Sequence, residues 1–83
     1  MNDREILAGV SAVAAKHLDW QGPLLPEMRL VEDLRLDSIR LLTLAVEVEN
    51  YFRVCLDEAD DAGLATVADL VAAVRRKLAR ESP

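Results

Sequence analysis

Apolar residues recur at every third or fourth position in the first part of the chain, which is the spacing of an amphipathic helix. One face of this helix carries Ile6, Val10, Val13 and His17. Asn2 and Glu5 precede that face with the spacing of a capping box, which marks a helix start. We therefore predict a first helix over about residues 3 to 18. Gly9 lowers the helix propensity there and indicates a close contact with another element.

The strongest helical pattern runs from about Ser38 to Phe52. One face carries Leu41, Leu44, Ala45, Val48 and Phe52. A second apolar stripe consists of Ile39, Leu42 and Val46. The helix is therefore more apolar than a single buried face requires. The second stripe has two possible explanations: it is additional core beneath the preceding loop, or it is a surface that contacts partner proteins.

Another helix is predicted near the end of the chain. Thr66 and Asp69 have the spacing of an N-terminal cap, with Asp69 near the positive end of the helix dipole. The apolar positions that follow are Val67, Leu70, Val71 and Val74. Basic residues come next, where the dipole favours them. The acidic segment LDEADDAGL, just before this helix, predicts one further short helix.

The connection between the first two main helices, DWQGPLLPEMRLVEDLRLD, is long and contains two prolines. Its apolar residues are Leu24, Leu25, Met28, Leu30, Val31, Leu34 and Leu36. Long connections in small domains pack their own side chains or carry function. We expect an ordered loop folded over the helices, with one helical turn near residues 27 to 33. The predicted fold class is all-α: a small four-helix bundle, with three main helices plus one short helix and a long loop between helices 1 and 2.

The composition fits one domain over residues 1–83, with 52% hydrophobic but only 4% aromatic residues. A core of aliphatic side chains on short helices leaves little room for a preorganised catalytic site, which favours a carrier, binding or adaptor module. The formal net charge of −5 argues against nucleic acid as a partner. Negative charge suits partners with basic surfaces, or it serves solubility alone.

The sequence also indicates a cellular compartment. The start of the chain lacks the basic region of a signal peptide, and no apolar run is long enough to span a bilayer. We therefore predict a cytoplasmic protein. Cys55 is the only cysteine, which excludes an internal disulfide, and its apolar neighbours predict that it is buried.

The triplet Asp37-Ser38-Ile39 stands directly in front of the second main helix. Asp and Ser are common helix caps, so capping alone explains the pair. A catalytic serine would need a base and a third orienting group. The single histidine, His17, belongs to the first helix, and the chain has no G-x-S-x-G motif. The sequence therefore does not favour Ser38 as a nucleophile.

The runs LVEDLRLDSIRLLTLAVEVENYF and TVADLVAAVRRKL resemble the acyl carrier proteins. In that family an Asp-Ser-Leu or Asp-Ser-Ile triplet starts the second helix after a long loop. The serine carries a 4′-phosphopantetheine arm that comes from coenzyme A, and the thiol of the arm holds an acyl group as a thioester. The resemblance implies that Ser38 is the attachment residue, that Asp37 is the acidic neighbour associated with modification, and that Ile39 contacts partner enzymes.

Four positions depart from the usual family pattern. Arg35 and Arg53 stand where glycine is common, Arg40 stands where an acidic or small residue is frequent, and Thr43 replaces a frequent glutamate. The segment after the serine is thus less acidic than in carriers of general fatty-acid synthesis. These departures favour a specialised carrier for a secondary-metabolite, polyketide-like or aminoacyl pathway. The resemblance as a whole implies a carrier of an acyl or aminoacyl intermediate in fatty-acid-like, polyketide or other secondary-metabolite biosynthesis. Arg40 is either a specificity contact or an ordinary surface charge.

The resemblance further implies a monomeric carrier without catalytic activity of its own. Its partners would be a phosphopantetheinyl transferase, an acyl-loading ligase or acyltransferase, and a ketosynthase or other acyl-processing enzymes. The residues expected to contact them are Ile39, Arg40, Leu42, Val46 and Glu47. Two alternatives are a cofactor-free helical adaptor with the same fold and a small hydrolase or transferase that uses Ser38 directly.

Overall fold

The structure, a computed structural model, describes residues 2–56 and 64–81. These residues form three α-helices: α1 (Asp3–His17), α2 (Ser38–Phe52) and α3 (Val67–Glu81). Within the described ranges there is no strand, and one isolated antiparallel bridge joins the long loop to the start of α3. The all-α class and the three main helices are confirmed. The segment of the predicted short helix, residues 57–63, lies outside the described residues.

Short-range hydrogen bonds fix where α1 and α3 begin. In the predicted capping box of α1, the backbone N–H of Glu5 donates to Asn2 Oδ1 over 2.9 Å, and the N–H of Asn2 donates to Glu5 Oε1 over 3.3 Å. At α3, Asp69 Oδ2 accepts from the N–H groups of Ala65 and Thr66, both over 3.0 Å. These two bonds stabilise the carboxylate and lower the pKa of Asp69. Both helix starts are thus confirmed.

The core is aliphatic and receives side chains from all three helices and from the long loop. The residues with no exposed surface are Ile6, Val10, Ala14, Leu30, Val48, Val67, Ala73 and Val74. Phe52, at the end of α2, is the one aromatic side chain of the core cluster in the described part of the chain. This composition matches the expected core without large aromatic clusters.

Gly9 lies in a close contact between α1 and the end of α2. A Cβ atom at Gly9 would overlap the ring of Phe52 and lie 2.7 Å from Cε1 of Tyr51. Phe52 is buried, so its ring cannot move away without disturbing the core. The close contact that the sequence indicates at Gly9 is therefore confirmed.

Backbone hydrogen bonds anchor the long loop to the start of α3. The N–H of Leu30 donates to the carbonyl of Ala65 over 3.0 Å, and the N–H of Val67 donates to the carbonyl of Met28 over 2.9 Å. The side chains of Leu24, Leu30, Leu34 and Leu36 are buried. The loop is therefore ordered and packed on the helices, as predicted.

The predicted helical turn of the loop is confirmed. In that region the N–H of Asp33 donates to the carbonyl of Arg29 over 2.9 Å, which closes one helical turn. Not all apolar residues of the loop join the core, because Leu25 and Val31 are exposed.

The left-handed backbone region is occupied at Arg35 and Arg53, each with a φ of 57°. These are the two positions where the resembling family commonly has glycine. Arg35 is exposed between the buried residues Leu34 and Leu36, and Arg53 is the C-cap of α2. A Cβ atom in this conformation costs about 1–2 kcal/mol. The glycine preference at both positions therefore has a steric cause that this chain tolerates.

The prediction that Cys55 is buried is wrong. The left-handed turn at Arg53 ends α2, after which Val54 packs in the core and Cys55 is exposed. The N–H of Leu56 then donates to Glu49 Oε2 over 2.8 Å, which holds the segment against α2. Apolar neighbours in the sequence do not determine which residue of an extended segment faces the core.

The packing at Gly9 predicts the effect of one added methyl group. Gly9→Ala should lower the free energy of unfolding by about 1–3 kcal/mol, because the Cβ atom overpacks the α1–α2 contact. At an open helical position the same change would raise stability. Urea unfolding of Gly9→Ala, alone and combined with Phe52→Leu, measures the effect. The loss should shrink in the double variant, and a gain in the single variant would contradict the described packing.

The left-handed conformation of Arg35 predicts that glycine is better accommodated there. Arg35→Gly should raise the free energy of unfolding by about 0.5–1 kcal/mol, because relief of the Cβ clash exceeds the entropy that glycine loses on folding. Arg35→Ala keeps the Cβ atom and is the matched control. Urea unfolding of both variants tests the prediction, and equal stability of the two would show that Arg35 is not held in this conformation.

Candidate functional site

Ser38 is the first residue of α2 and is exposed. Asp37 is the N-cap: its Oδ1 atom accepts from the N–H of Arg40 over 2.8 Å, and its carbonyl accepts from the N–H of Leu41 over 2.8 Å. The N–H groups of Ser38 and Ile39 have no hydrogen-bond acceptor within the described residues. The start of α2 therefore presents a hydroxyl and two free backbone donors to solvent.

The buried end of the long loop sets the position of this helix start. Leu34 and Leu36 are packed in the core, and the N–H of Leu36 donates to the carbonyl of Leu30 over 3.3 Å. Leu44 and Ala45 bury the inner face of α2 itself. Ser38 is thus held at the rim of the bundle, because the loop residues before it and the α2 residues after it are both packed in the core.

The second apolar stripe of α2 is on the surface. The exposed fractions are 77% for Ile39, 63% for Leu42 and 42% for Val46. The explanation that these residues form additional core is therefore wrong. Three neighbouring apolar side chains beside Ser38 form a surface patch, of the kind that marks interaction sites.

A shallow apolar depression opens beside Ser38. Its volume is about 240 Å³, and its lining residues are Ser38, Leu41, Leu42, Ala45 and Leu64. The sequence did not indicate Leu64 for this site, because Leu64 is distant from α2 along the chain and reaches it only through the fold. The depression places apolar surface next to the Ser38 hydroxyl.

The two charged residues predicted for partner contact differ in their surroundings. Arg40 is exposed on the first turn of α2. The Oε2 atom of Glu47 lies 3.5 Å from Nδ1 of His17, and the Oε1 atom of Glu47 accepts a hydrogen bond from Nδ2 of Asn50 over 3.2 Å. Glu47 is therefore held against the end of α1, whereas Arg40 extends from the same end of α2 as Ser38.

Within the described part of the chain, the single histidine is not brought to Ser38 as a catalytic base. His17 contacts Glu47, which lies about 2.5 helical turns along α2 from the serine. Among the described residues no group of three or more His, Cys, Asp or Glu side chains could hold a metal ion. Within the same ranges no helix has the length and apolar character needed to cross a membrane. The site is a presented hydroxyl beside an apolar surface.

Comparison with known proteins agrees with this architecture, although no family model matches the chain. The meromycolate extension acyl carrier protein of Mycobacterium tuberculosis is 33% identical over 84 aligned positions, which cover 100% of this chain and 72% of the relative. The acyl carrier protein of Thermotoga maritima is 32% identical over 75 positions, covering 89% and 93% of the two chains.

A solved structure shows the same likeness in three dimensions. It is described as an acyl carrier protein from Mycobacterium tuberculosis and superposes with a TM-score of 0.80 at 25% identity, covering 86% of this chain and 96% of the other. The two alignments cover all or nearly all of this chain, so they include the region of Ser38 and the helices around it. The chain belongs to the acyl carrier protein family.

Proposed function

We propose that this protein carries an acyl or aminoacyl group on a 4′-phosphopantetheine arm attached to Ser38, and presents it to partner enzymes. The observation that carries the proposal is the placement of Ser38, exposed as the first residue of α2. Acyl carrier proteins are not catalytic themselves, and among the described residues the single histidine contacts Glu47 and not Ser38, so it does not serve as the base that a nucleophile needs. Its hydroxyl would therefore serve as an attachment point.

The residues around Ser38 fit a phosphodiester. The free N–H groups of Ser38 and Ile39 lie at the positive end of the α2 dipole, where a phosphate is favoured. The carboxylate of Asp37 is turned back to the N–H of Arg40, so it caps the helix and leaves those two donors free. When bound, the arm would supply the thiol that carries the acyl group. The protein would supply attachment, orientation and a docking surface.

We further propose that the exposed stripe of α2 contacts partner enzymes. Ile39, Leu42 and Val46 are exposed apolar residues that follow the serine along one side of the helix. A phosphopantetheinyl transferase, a loading ligase or acyltransferase, and a ketosynthase would each have to reach Ser38 past this stripe. Binding should be weak and rapid, because one carrier must leave each enzyme after its turn. Glu47 offers these partners less surface, since it is held against α1.

The similarity to carriers named for meromycolate extension supports a specialised acyl pathway rather than general fatty-acid synthesis. The apolar depression beside Ser38 is compatible with a fatty-acyl cargo, because it offers apolar surface at the point of attachment. The four departures from the usual family pattern fit the same assignment. We therefore propose an acyl chain rather than an aminoacyl group as the cargo.

Modification of Ser38 is the first consequence to test. The protein, incubated with coenzyme A and a broad-specificity phosphopantetheinyl transferase, should gain the mass of one phosphopantetheine. Ser38→Ala should gain none, because the side-chain oxygen that would form the phosphodiester is gone. Ser11→Ala, which removes a hydroxyl from α1, is the matched control and should be modified like the natural protein.

Intact-mass spectrometry distinguishes the alternatives. An unmodified natural protein, beside a control carrier that the same transferase modifies, would favour the cofactor-free adaptor. Equal modification of Ser38→Ala would place the attachment at another residue.

Substitution of two leucines of α2, one exposed and one buried, distinguishes a role in partner contact from a role in the core. Leu42 is exposed and Leu44 is 1% exposed. Leu42→Ala should reduce kcat/KM for modification by the transferase several-fold and change the free energy of unfolding by less than about 0.5 kcal/mol. Leu44→Ala should lower the free energy of unfolding by about 2–5 kcal/mol. Transferase kinetics and urea unfolding measure both, and an unchanged kcat/KM for Leu42→Ala would contradict the contact role.

A further inference from the structure

Two exposed arginines flank Ser38. Arg35 precedes it by three residues in the left-handed conformation, and Arg40 follows it by two residues on the first turn of α2. Within the described residues no hydrogen bond or ion pair holds either guanidinium group, although the backbone N–H of Arg40 donates to Asp37. Both side chains are therefore free to contact a partner that approaches Ser38.

The neighbouring carboxylates are occupied within the chain. Glu32 accepts from Nη1 of Arg29 over 2.6 Å, and Asp33 accepts from the N–H of the same residue over 2.7 Å. Asp37 caps α2, whose first turn has no acidic residue. Among the residues that the structure describes, the charged groups near Ser38 that make no contact within the chain are consequently the two guanidinium groups.

The same holds further along α2. Its two acidic residues are Glu47, which contacts His17 and Asn50, and Glu49, which accepts from the N–H of Leu56. Both lie in the second half of the helix. The helix therefore presents a face that is apolar and basic near Ser38, in a chain whose formal net charge is −5.

We infer that the enzymes served by this carrier present carboxylates opposite Arg35 and Arg40, around an apolar seat for Ile39 and Leu42. These four residues form what we call the basic docking face. The inference rests on the proposed function, because it concerns the partners that act at Ser38. Charge complementarity at an interface sets encounter rate and partner choice, and like charges brought together exclude wrong partners. Enzymes with a basic docking rim would be disfavoured.

A protein partner fits this face better than a membrane. An anionic bilayer would attract the two arginines. The negative net charge of the chain opposes that attraction. A protein rim can place single carboxylates opposite the arginines without approaching the acidic remainder of the chain.

A charge-exchange experiment tests the inference. The probe is one phosphopantetheinyl transferase chosen for lysine or arginine at its docking rim, used in its natural form and in a variant with glutamate at those positions. The natural carrier and the double variant Arg35→Glu/Arg40→Glu are each paired with both forms. Glu at position 40 falls three residues after the Asp37 cap, a favourable position for an acid, so α2 should form.

We expect a crossed pattern in kcat/KM. The natural carrier should have the higher kcat/KM with the acidic-rim transferase, and the double variant should have the higher kcat/KM with the basic-rim form. The preference ratio, which is kcat/KM with the acidic-rim form divided by kcat/KM with the basic-rim form, should differ roughly tenfold or more between the two carriers at low salt. The ratio should shrink at high salt. Arg53→Glu is the matched control, since Arg53 is exposed, shares the backbone conformation of Arg35 and lies at the other end of α2. It should leave the preference of the natural carrier unchanged.

Three results would overturn the inference. The first is a natural carrier that prefers the basic-rim transferase, and the second is a double variant with an unchanged preference ratio. The third is co-sedimentation of the natural carrier with phosphatidylglycerol vesicles that the double variant loses, which would assign the face to a lipid surface. Failure of the proposed function itself looks different: no pair would modify Ser38, while a control carrier is modified in parallel.

Discussion

The anchoring of the long loop to the start of α3 determines the position of the candidate site. The N–H of Leu30 bonds to Ala65 and the N–H of Val67 bonds to Met28, so two distant parts of the chain share a short antiparallel pairing. Leu30 is thereby fully buried, and the loop that follows can place Leu36 in the core. α2 must then begin at the surface. Without this pairing, the loop would lose the backbone contacts to α3 that help to fix its path and, with it, the position of Ser38.

α2 combines a structural face and a presenting face. Its inner side, with Leu44 and Val48, belongs to the core, while Ile39 and Leu42 are exposed beside Ser38. The Asp37 carboxylate caps the helix through the N–H of Arg40, which leaves the first two N–H groups of the helix free. The helix is thus stabilised by contacts that do not use the groups proposed for phosphate and partner binding. That separation allows docking residues to vary without loss of the fold.

Local signals in the sequence are sufficient to predict the three main helices and the position of Ser38 at the start of α2. Capping boxes and helical spacing act over a few residues, which is why α2 was predicted with its observed bounds, Ser38–Phe52. The exposure of Cys55 and the approach of Leu64 to the depression depend on how distant segments pack, which local spacing does not encode. The pairing of Glu47 with His17 likewise joins two helices that the sequence could not orient. The reason that the family commonly has glycine at position 35 became clear only from the left-handed backbone conformation there.

The central claim is that Ser38 carries the arm in the cell. Its most direct test is tandem mass spectrometry of the protein purified from its native host, with the peptide that contains Ser38 sequenced by fragmentation. The account predicts a phosphopantetheine, free or acylated, on Ser38 in a large fraction of the molecules. A protein that is produced in its active pathway and carries an unmodified Ser38 throughout would contradict it.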